Sequence, residues 1–131
     1  MTSDTGLLFD TTVLVDVLRN HNRRQRFLAD LVLAGCRLAT STMNVAEVYG
    51  GLRRGEEEAT TTLFAGFEHI PVSSAIAERA GRLQAQLRSR GQTRSIADLI
   101  IAATALEYGL QLATDNGKDF QVDGLILFPL P

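Results

Sequence analysis

At 131 residues and 14.3 kDa the chain is sized for one domain, residues 1–131, whose core needs no disulfide or zinc staple. Its apolar fraction of 45% is ordinary, and no apolar run approaches the roughly 18 residues of a membrane span. A net charge of −2 excludes a molecule-wide basic footprint for nucleic acid, and the lone Cys36 excludes an internal disulfide or a cysteine-rich zinc site.

The opening MTSDTG has no basic region ahead of its short apolar stretch, so no secretory leader is expected and the cytoplasm is the expected compartment. GLLFD follows, an apolar run ending on a carboxylate, which reads as a buried strand delivering Asp10 to its C-terminal edge. Val13 to Arg19 has helical spacing in Val13, Leu14 and Leu18. Arg23 to Ala34 predicts an amphipathic helix on Phe27, Leu28, Leu31 and Val32, stopped by Gly35. Cys36 to Ala39 is a second strand. Ser41, Thr42 or Asn44 then caps a helix reaching about Arg54, and Glu56, Glu57 and Glu58 open another, where negative charge complements the helix dipole. That helix runs to about Phe67, HIPV is a third strand, and Ser73 or Ser74 caps a long helix with Ile76, Ala80, Leu83 and Leu87 along one stripe. Ser95 starts IADLIIAATALEYG, which is apolar nearly all round and therefore expected to be buried. QLAT is a fourth strand, NGKDF a loop with turn chemistry, and LILF a fifth strand. Strands alternating with helices predict an α/β fold, a parallel sheet covered on both faces.

In open α/β sheets, ligands bind beyond the carboxyl ends of the strands. Asp10 and the TDNGKDF loop lie at such ends, while Glu47 and Asp98 sit in the first two turns of their helices, so four segments remote in sequence converge on one rim. Carboxylates gathered there repel one another. A hard divalent cation turns that repulsion into coordination and supplies the Lewis acid that phosphodiester hydrolysis needs. Each acid also has a plainer role: Ser95 and Asp98 have capping-box spacing, Asn44 and Glu47 offer a weaker version, Asp10 can start a turn, and Asp115 and Asp119 can shape a loop. Asp16 reads as a solvated residue of the first helix. His69, in FEHIPV, suits packing or hydrogen bonding better than ligation. All but one of the 13 basic residues are arginines, Lys118 being the exception, and the groups Arg19, Arg23, Arg24, Arg26 and Arg88, Arg90, Arg94 suit phosphate as well as they suit a solvated face.

Taken in order, LLFDTTVLVDVLR, STMNVAEVYGGLRRG and SIADLIIAATALEYGLQLATDNGKDFQVDGLILFPLP resemble the PIN-domain ribonucleases, specifically the VapC toxins of bacterial type II toxin–antitoxin systems, from Leu7 to Pro129. The resemblance implies a PIN-like three-layer sandwich with a parallel five-stranded sheet flanked by helices. It implies an endoribonuclease dependent on Mg²⁺ or Mn²⁺ that hydrolyses RNA phosphodiester bonds through a metal-activated water. It also implies a homodimer and a cognate antitoxin, whose C-terminal segment would occlude the active site in a higher assembly. By position, Asp10, Glu47 and Asp98 match the first three family acids, with Asp10 and Asp98 most directly on the metal; Asp119 is favoured as the fourth and Asp115 is the alternative. Thr12 stands where relatives commonly have Asn or Ser, its hydroxyl able to orient a metal-bound water, and Asn116 stands where Asp or Asn is frequent. Arg53, Arg54 and the stretch from Arg88 to Arg94 are candidates for RNA phosphate contacts, with surface solvation as their plainer role.

Rival classes meet specific obstacles. A haloacid-dehalogenase-like phosphatase needs a second Asp at the place of Thr12, and a receiver domain needs a phosphoacceptor Asp at a mid-chain strand end, which HIPVSS lacks. The remaining alternative is a catalytically inactive PIN-like interaction module whose carboxylates only cap helices.

Overall fold

Leu7, Leu8 and Phe9 form β1 (Leu7–Phe9) and are wholly buried, because this strand lies at the centre of a five-stranded parallel sheet with helices against both faces. The computed structural model describes residues 6–131; the segment 1–5, on which the expectation of no leader rests, lies outside the described residues. The other strands are β2 (Leu38–Ser41), β3 (Glu68–Ile70), β4 (Gln111–Ala113) and β5 (Leu127–Phe128), arranged β3-β2-β1-β4-β5. The chain steps outward from β1 through β2 to β3, then returns to the other side of β1 as β4. That reversal puts the topological switch point between the carboxyl ends of β1 and β4, where Asp10 and Thr114 emerge.

Alternate residues of β1 feed two cores. Leu7 and Phe9 pack with α1 (Thr11–Arg19), α2 (Arg24–Leu33), α3 (Thr42–Gly50) and α4 (Glu57–Ala65) through Val13, Leu14, Val17, Leu31, Val48 and Phe64. Phe9 meets Phe67 edge-on at 5.2 Å and stacks with Phe27 at 6.0 Å. Leu8 faces the opposite layer, α5 (Ser74–Ser89) and α6 (Ile96–Tyr108). α6 is buried continuously from Leu99 to Ala105, as its apolar sequence predicts, and its alanines let it lie close to the sheet. The expected hydrogen-bonding role of His69 holds, its Nε2 lying 2.8 Å from the Phe64 carbonyl, and Cys36 is a free buried thiol.

Several element ends differ from the sequence reading, each for a local reason. α1 starts at Thr11 rather than Val13 because Asp10 itself is the N-cap. β2 sits two residues later than Cys36–Ala39, set by its register with β1, Leu7 opposite Leu38 and Leu8 opposite Ala39. α3 ends at Gly50 rather than near Arg54, since Gly50 and Gly51 weaken the helix and the Glu56 carboxylate draws the Arg53 N–H out of it at 2.7 Å. Glu56 stays outside α4, leaving Glu57 and Glu58 in its first turn. Between α1 and α2, Asn20, Asn22 and Arg23 adopt left-handed backbone with φ of 53°, 54° and 56°. Asparagine tolerates that region, whereas an arginine there costs ~1 kcal/mol.

Candidate metal centre on an acidic rim

Asp10 is the residue at which β1 becomes α1. Its Oδ1 accepts the Thr11 N–H at 2.8 Å, and its Oδ2 accepts the Thr114 hydroxyl at 2.8 Å across the switch point. The residue is 6% exposed. Burial pushes its carboxyl above the usual range, the two hydrogen bonds oppose that, and the charges of Asp98 and Glu47 push it further up.

Glu47 reaches the same place from α3. Its Oε1 accepts the Thr11 hydroxyl at 2.7 Å, and the same hydroxyl accepts Asn44 Nδ2 at 2.9 Å. Asn44 is fully buried, and its Oδ1 takes the Ser41 N–H at 3.3 Å within a capping box formed by Ser41 and Asn44. Capping therefore falls to Ser41 with Asn44, not to Asn44 with Glu47, and Glu47 keeps its carboxylate for the rim.

Asp98 is the third residue of α6. Its N–H is capped by the Ser95 hydroxyl at 3.1 Å, while its half-buried carboxylate stays at the rim. Burial raises the carboxyl above its ordinary range and the Asp119 charge adds to that, against the Ser95 hydroxyl and Arg94. Asp119 lies in the 3₁₀ turn Gly117–Phe120, which is anchored by Phe120 in the core and by the Asp119 N–H on the Asn116 carbonyl at 2.9 Å.

Asp115 faces elsewhere, its Oδ1 accepting Arg24 Nη2 at 2.7 Å. Asn116 contributes through its backbone, donating to the Thr114 hydroxyl at 3.0 Å. Thr12 is exposed on the first turn of α1 without a side-chain hydrogen bond among the described residues; the hydroxyl that meets an acid is that of Thr11. Asp16 is not simply solvated: it lies 3.7 Å from His21 Nδ1 and 3.9 Å from Arg24 Nε. The sequence reading gave no site role to Thr11 or Thr114, placed Arg24 only in an arginine group suited to phosphate or a solvated face, and treated Asn44 only as a cap. The contacts Thr11–Asn44, Thr11–Glu47, Arg24–Asp115 and Thr114–Asp10 span 33 to 104 residues, and a local signal exists only for Thr11 and Thr114, hydroxyl residues beside strand ends.

Among the described residues, Asp10, Glu47, Asp98 and Asp119 make no ion pair, whereas Asp16 and Asp115 do. No three His, Cys, Asp or Glu side chains among the described residues come together as a ready-made cage. The donor set nevertheless fits a hard cation, since Mg²⁺ commonly uses one or two carboxylates with waters and substrate phosphate. Cations divide in the same way: Arg19, Arg24, Arg26, Arg37, Arg79 and Arg82 pair with acids, while Arg23, Arg53, Arg54, Arg88, Arg90, Arg94 and Lys118 have no ion pair among the described residues. Arg94 instead donates to the Lys118 carbonyl at 3.3 Å, joining the segment before α6 to the turn that carries Asp119. A cleft of about 290 Å³ lined by Ala105, Gly109, Leu110 and Gln111 lies at the amino end of β4, across the sheet from the acids, and has no part in the site.

Parallel strands with acids near the carboxyl ends of β1 and β4 define an α/β domain whose candidate site is an acidic rim. The sequence matches the PIN domain family over residues 7–124. Ribonuclease VapC19 of Mycobacterium tuberculosis is 34% identical over 113 residues, covering 86% of this chain and 90% of the relative. Ribonuclease VapC10 of the same organism is 36% identical over 110 residues, covering 84% and 82%. Among solved structures, a toxin–antitoxin complex from Klebsiella pneumoniae aligns with a TM-score of 0.77 at 28% identity, covering 95% of this chain and 98% of that one. The chain belongs to the PIN-domain family, in its VapC branch. Among the described residues no helix is long and apolar enough to cross a membrane.

Proposed function

We propose that this chain is the toxin of a type II toxin–antitoxin pair, an endoribonuclease that hydrolyses RNA phosphodiester bonds with a bound Mg²⁺ or Mn²⁺. The observation that carries the reading is the set of four rim acids that make no ion pair among the described residues, one of them, Asp10, buried. An uncompensated carboxylate in that position is costly unless something else supplies positive charge. Asp10 and Asp98 would hold the cation, which when bound supplies a Lewis acid and acidifies a water. Glu47, steadied by the Thr11 hydroxyl, and Asp119, on its 3₁₀ turn, are the groups able to orient that water and take its proton. Asp115, already engaged by Arg24, is the weaker claimant to the fourth acidic place.

The names of the relatives support the same reading: VapC19 and VapC10 are ribonucleases, and the Klebsiella protein was solved as a toxin–antitoxin complex. A cognate antitoxin, a homodimeric toxin and a cytoplasmic setting complete the proposal. An inactive interaction module is less favoured, because capping does not explain Glu47, and the cap that Asp10 gives α1 does not call for a buried acid with a raised pKa. Sequencing RNA ends after brief induction tests the activity: one dominant set of new ends that vanishes in Asp98→Ala supports it, and an unchanged RNA population refutes it.

A further inference from the structure

Arg24, the first residue of α2, is only 3% exposed. A buried guanidinium is costly unless paired, and a buried pair is often no more stabilising than an apolar side chain of similar volume. What the chain gains from this arginine is geometry. Its Nη2 donates to Asp115 Oδ1 at 2.7 Å, Nη1 donates to the Pro131 carbonyl at 3.4 Å, and Nε lies 3.9 Å from Asp16 Oδ2 with no hydrogen-bond partner. The residues just before it, Asn22 and Arg23, hold left-handed backbone, and Asn22 Nδ2 donates to Asp16 at 3.4 Å. The turn that delivers Arg24 is thus tied to the acid beside it.

On the other side of this contact, successive residues after β4 are gripped in turn. The Thr114 hydroxyl binds Asp10, the Asp115 carboxylate binds Arg24, and the Asn116 carbonyl takes the Asp119 N–H. We propose that Arg24 is a positioning residue for the acidic rim: through Asp115 it fixes the 114–119 segment that both hydrogen-bonds Asp10 and carries Asp119. The same contact keeps the Asp115 carboxylate from competing for the cation. The inference rests on the metal-site reading above and adds a residue that touches neither cation nor substrate.

The test uses the full chain with Arg24→Met, Asp115→Ala, the double variant, and Asp10→Asn as the control. Mn²⁺ affinity is measured by calorimetry, and amide hydrogen exchange at Asn116 and Asp119 is followed at fixed pH. Each single variant should weaken Mn²⁺ binding by about 10- to 100-fold, the usual effect of losing a group that orients a ligand. The double variant should be no weaker than the worse single, because both act through one contact. Exchange at Asn116 and Asp119 should quicken in Asp115→Ala. That half-exposed position keeps the test alive if Arg24→Met fails to fold. Wild-type binding that is lost in Asp10→Asn but unchanged in Asp115→Ala overturns the positioning role and leaves the metal site standing. Absence of Mn²⁺ binding by the wild type overturns the metal site itself, and the positioning role with it.

Discussion

Asp10 occupies a place where a carboxylate is expensive, and the rim is built around tolerating it. Two hydrogen bonds, from the Thr11 N–H and the Thr114 hydroxyl, only partly offset the burial that raises its pKa above the ordinary 3.8. Because the folded form holds its proton more tightly than the unfolded chain, the metal-free protein loses stability as pH rises from 3.8 through the folded value. Asp10→Asn removes that penalty while keeping a good N-cap for α1. Without divalent ions it should therefore melt above the wild type at pH 7, with the gap closing below about pH 4. Added Mn²⁺ should raise the melting temperature of the wild type alone. A variant that melts below the wild type at pH 7 without metal would contradict this account. Asp98 has a different residue-scale signature. Asp98→Ala keeps the α6 cap, because that bond comes from its backbone, so circular dichroism should be unchanged while kcat falls at least about a hundredfold, the scale lost with one transition-state stabiliser.

At the scale of elements, caps and clamps set where the acids stand. Ser95→Ala should cost ~1 kcal/mol in urea unfolding and Ser95→Gly only a few tenths, because the hydroxyl caps the helix whose first turn carries Asp98. Glu56 clamps α1 to the loop after α3, accepting Arg19 Nε at 3.0 Å, Arg19 Nη2 at 3.1 Å and the Arg53 N–H at 2.7 Å. Those bonds, the Arg19 side chain first, lower its pKa from 4.5 to about 2. A depressed carboxyl contributes stability above its unfolded pKa and loses it as pH falls through the folded one. The stability difference between wild type and Glu56→Gln should thus be constant above about pH 5 and shrink between 4.5 and about 2; a pH-independent difference would show that the charge is irrelevant. These elements were legible to different degrees. The apolar runs LLF and LIIAATA announce a central strand and a buried helix because burial leaves an uninterrupted local trace. The placement of Asp10 at a strand end and of Asp98 in the first turn of a helix was legible because acids at strand and helix starts have positional meaning. Thr11, Asn44, Thr114 and Arg24 were not, since a hydroxyl, an amide or an arginine gains its role from a partner many residues away.

For the whole molecule, the difficulty is bringing a polyanion to an acidic rim on a chain whose net charge is −2. Long-range attraction cannot come from the total charge, so it must come from where the cations stand. Six arginines are neutralised by neighbouring acids, whereas Arg88, Arg90, Arg94 and Lys118 have no ion pair among the described residues. Arg94 joins the start of α6 to the Asp119 turn, which puts this basic segment beside Asp98 and Asp119. An RNA strand drawn along it would reach the acids with its phosphates already countered, and the cation would complete the neutralisation at the scissile group. Arg88 and Arg90 are exposed and lie outside the proposed catalytic set, so replacing both with glutamine should leave kcat unchanged and raise KM. The sharper readout is salt. Each single-strand phosphate contact adds ~0.7 to the slope of log affinity against log salt, so the double variant should flatten that slope by up to ~1.4. If KM rises with an unchanged slope, the two arginines shape the loop rather than meet phosphate. If neither changes, the strand enters by another route, and the same measurement on Arg53→Gln/Arg54→Gln tests whether those arginines carry the slope instead.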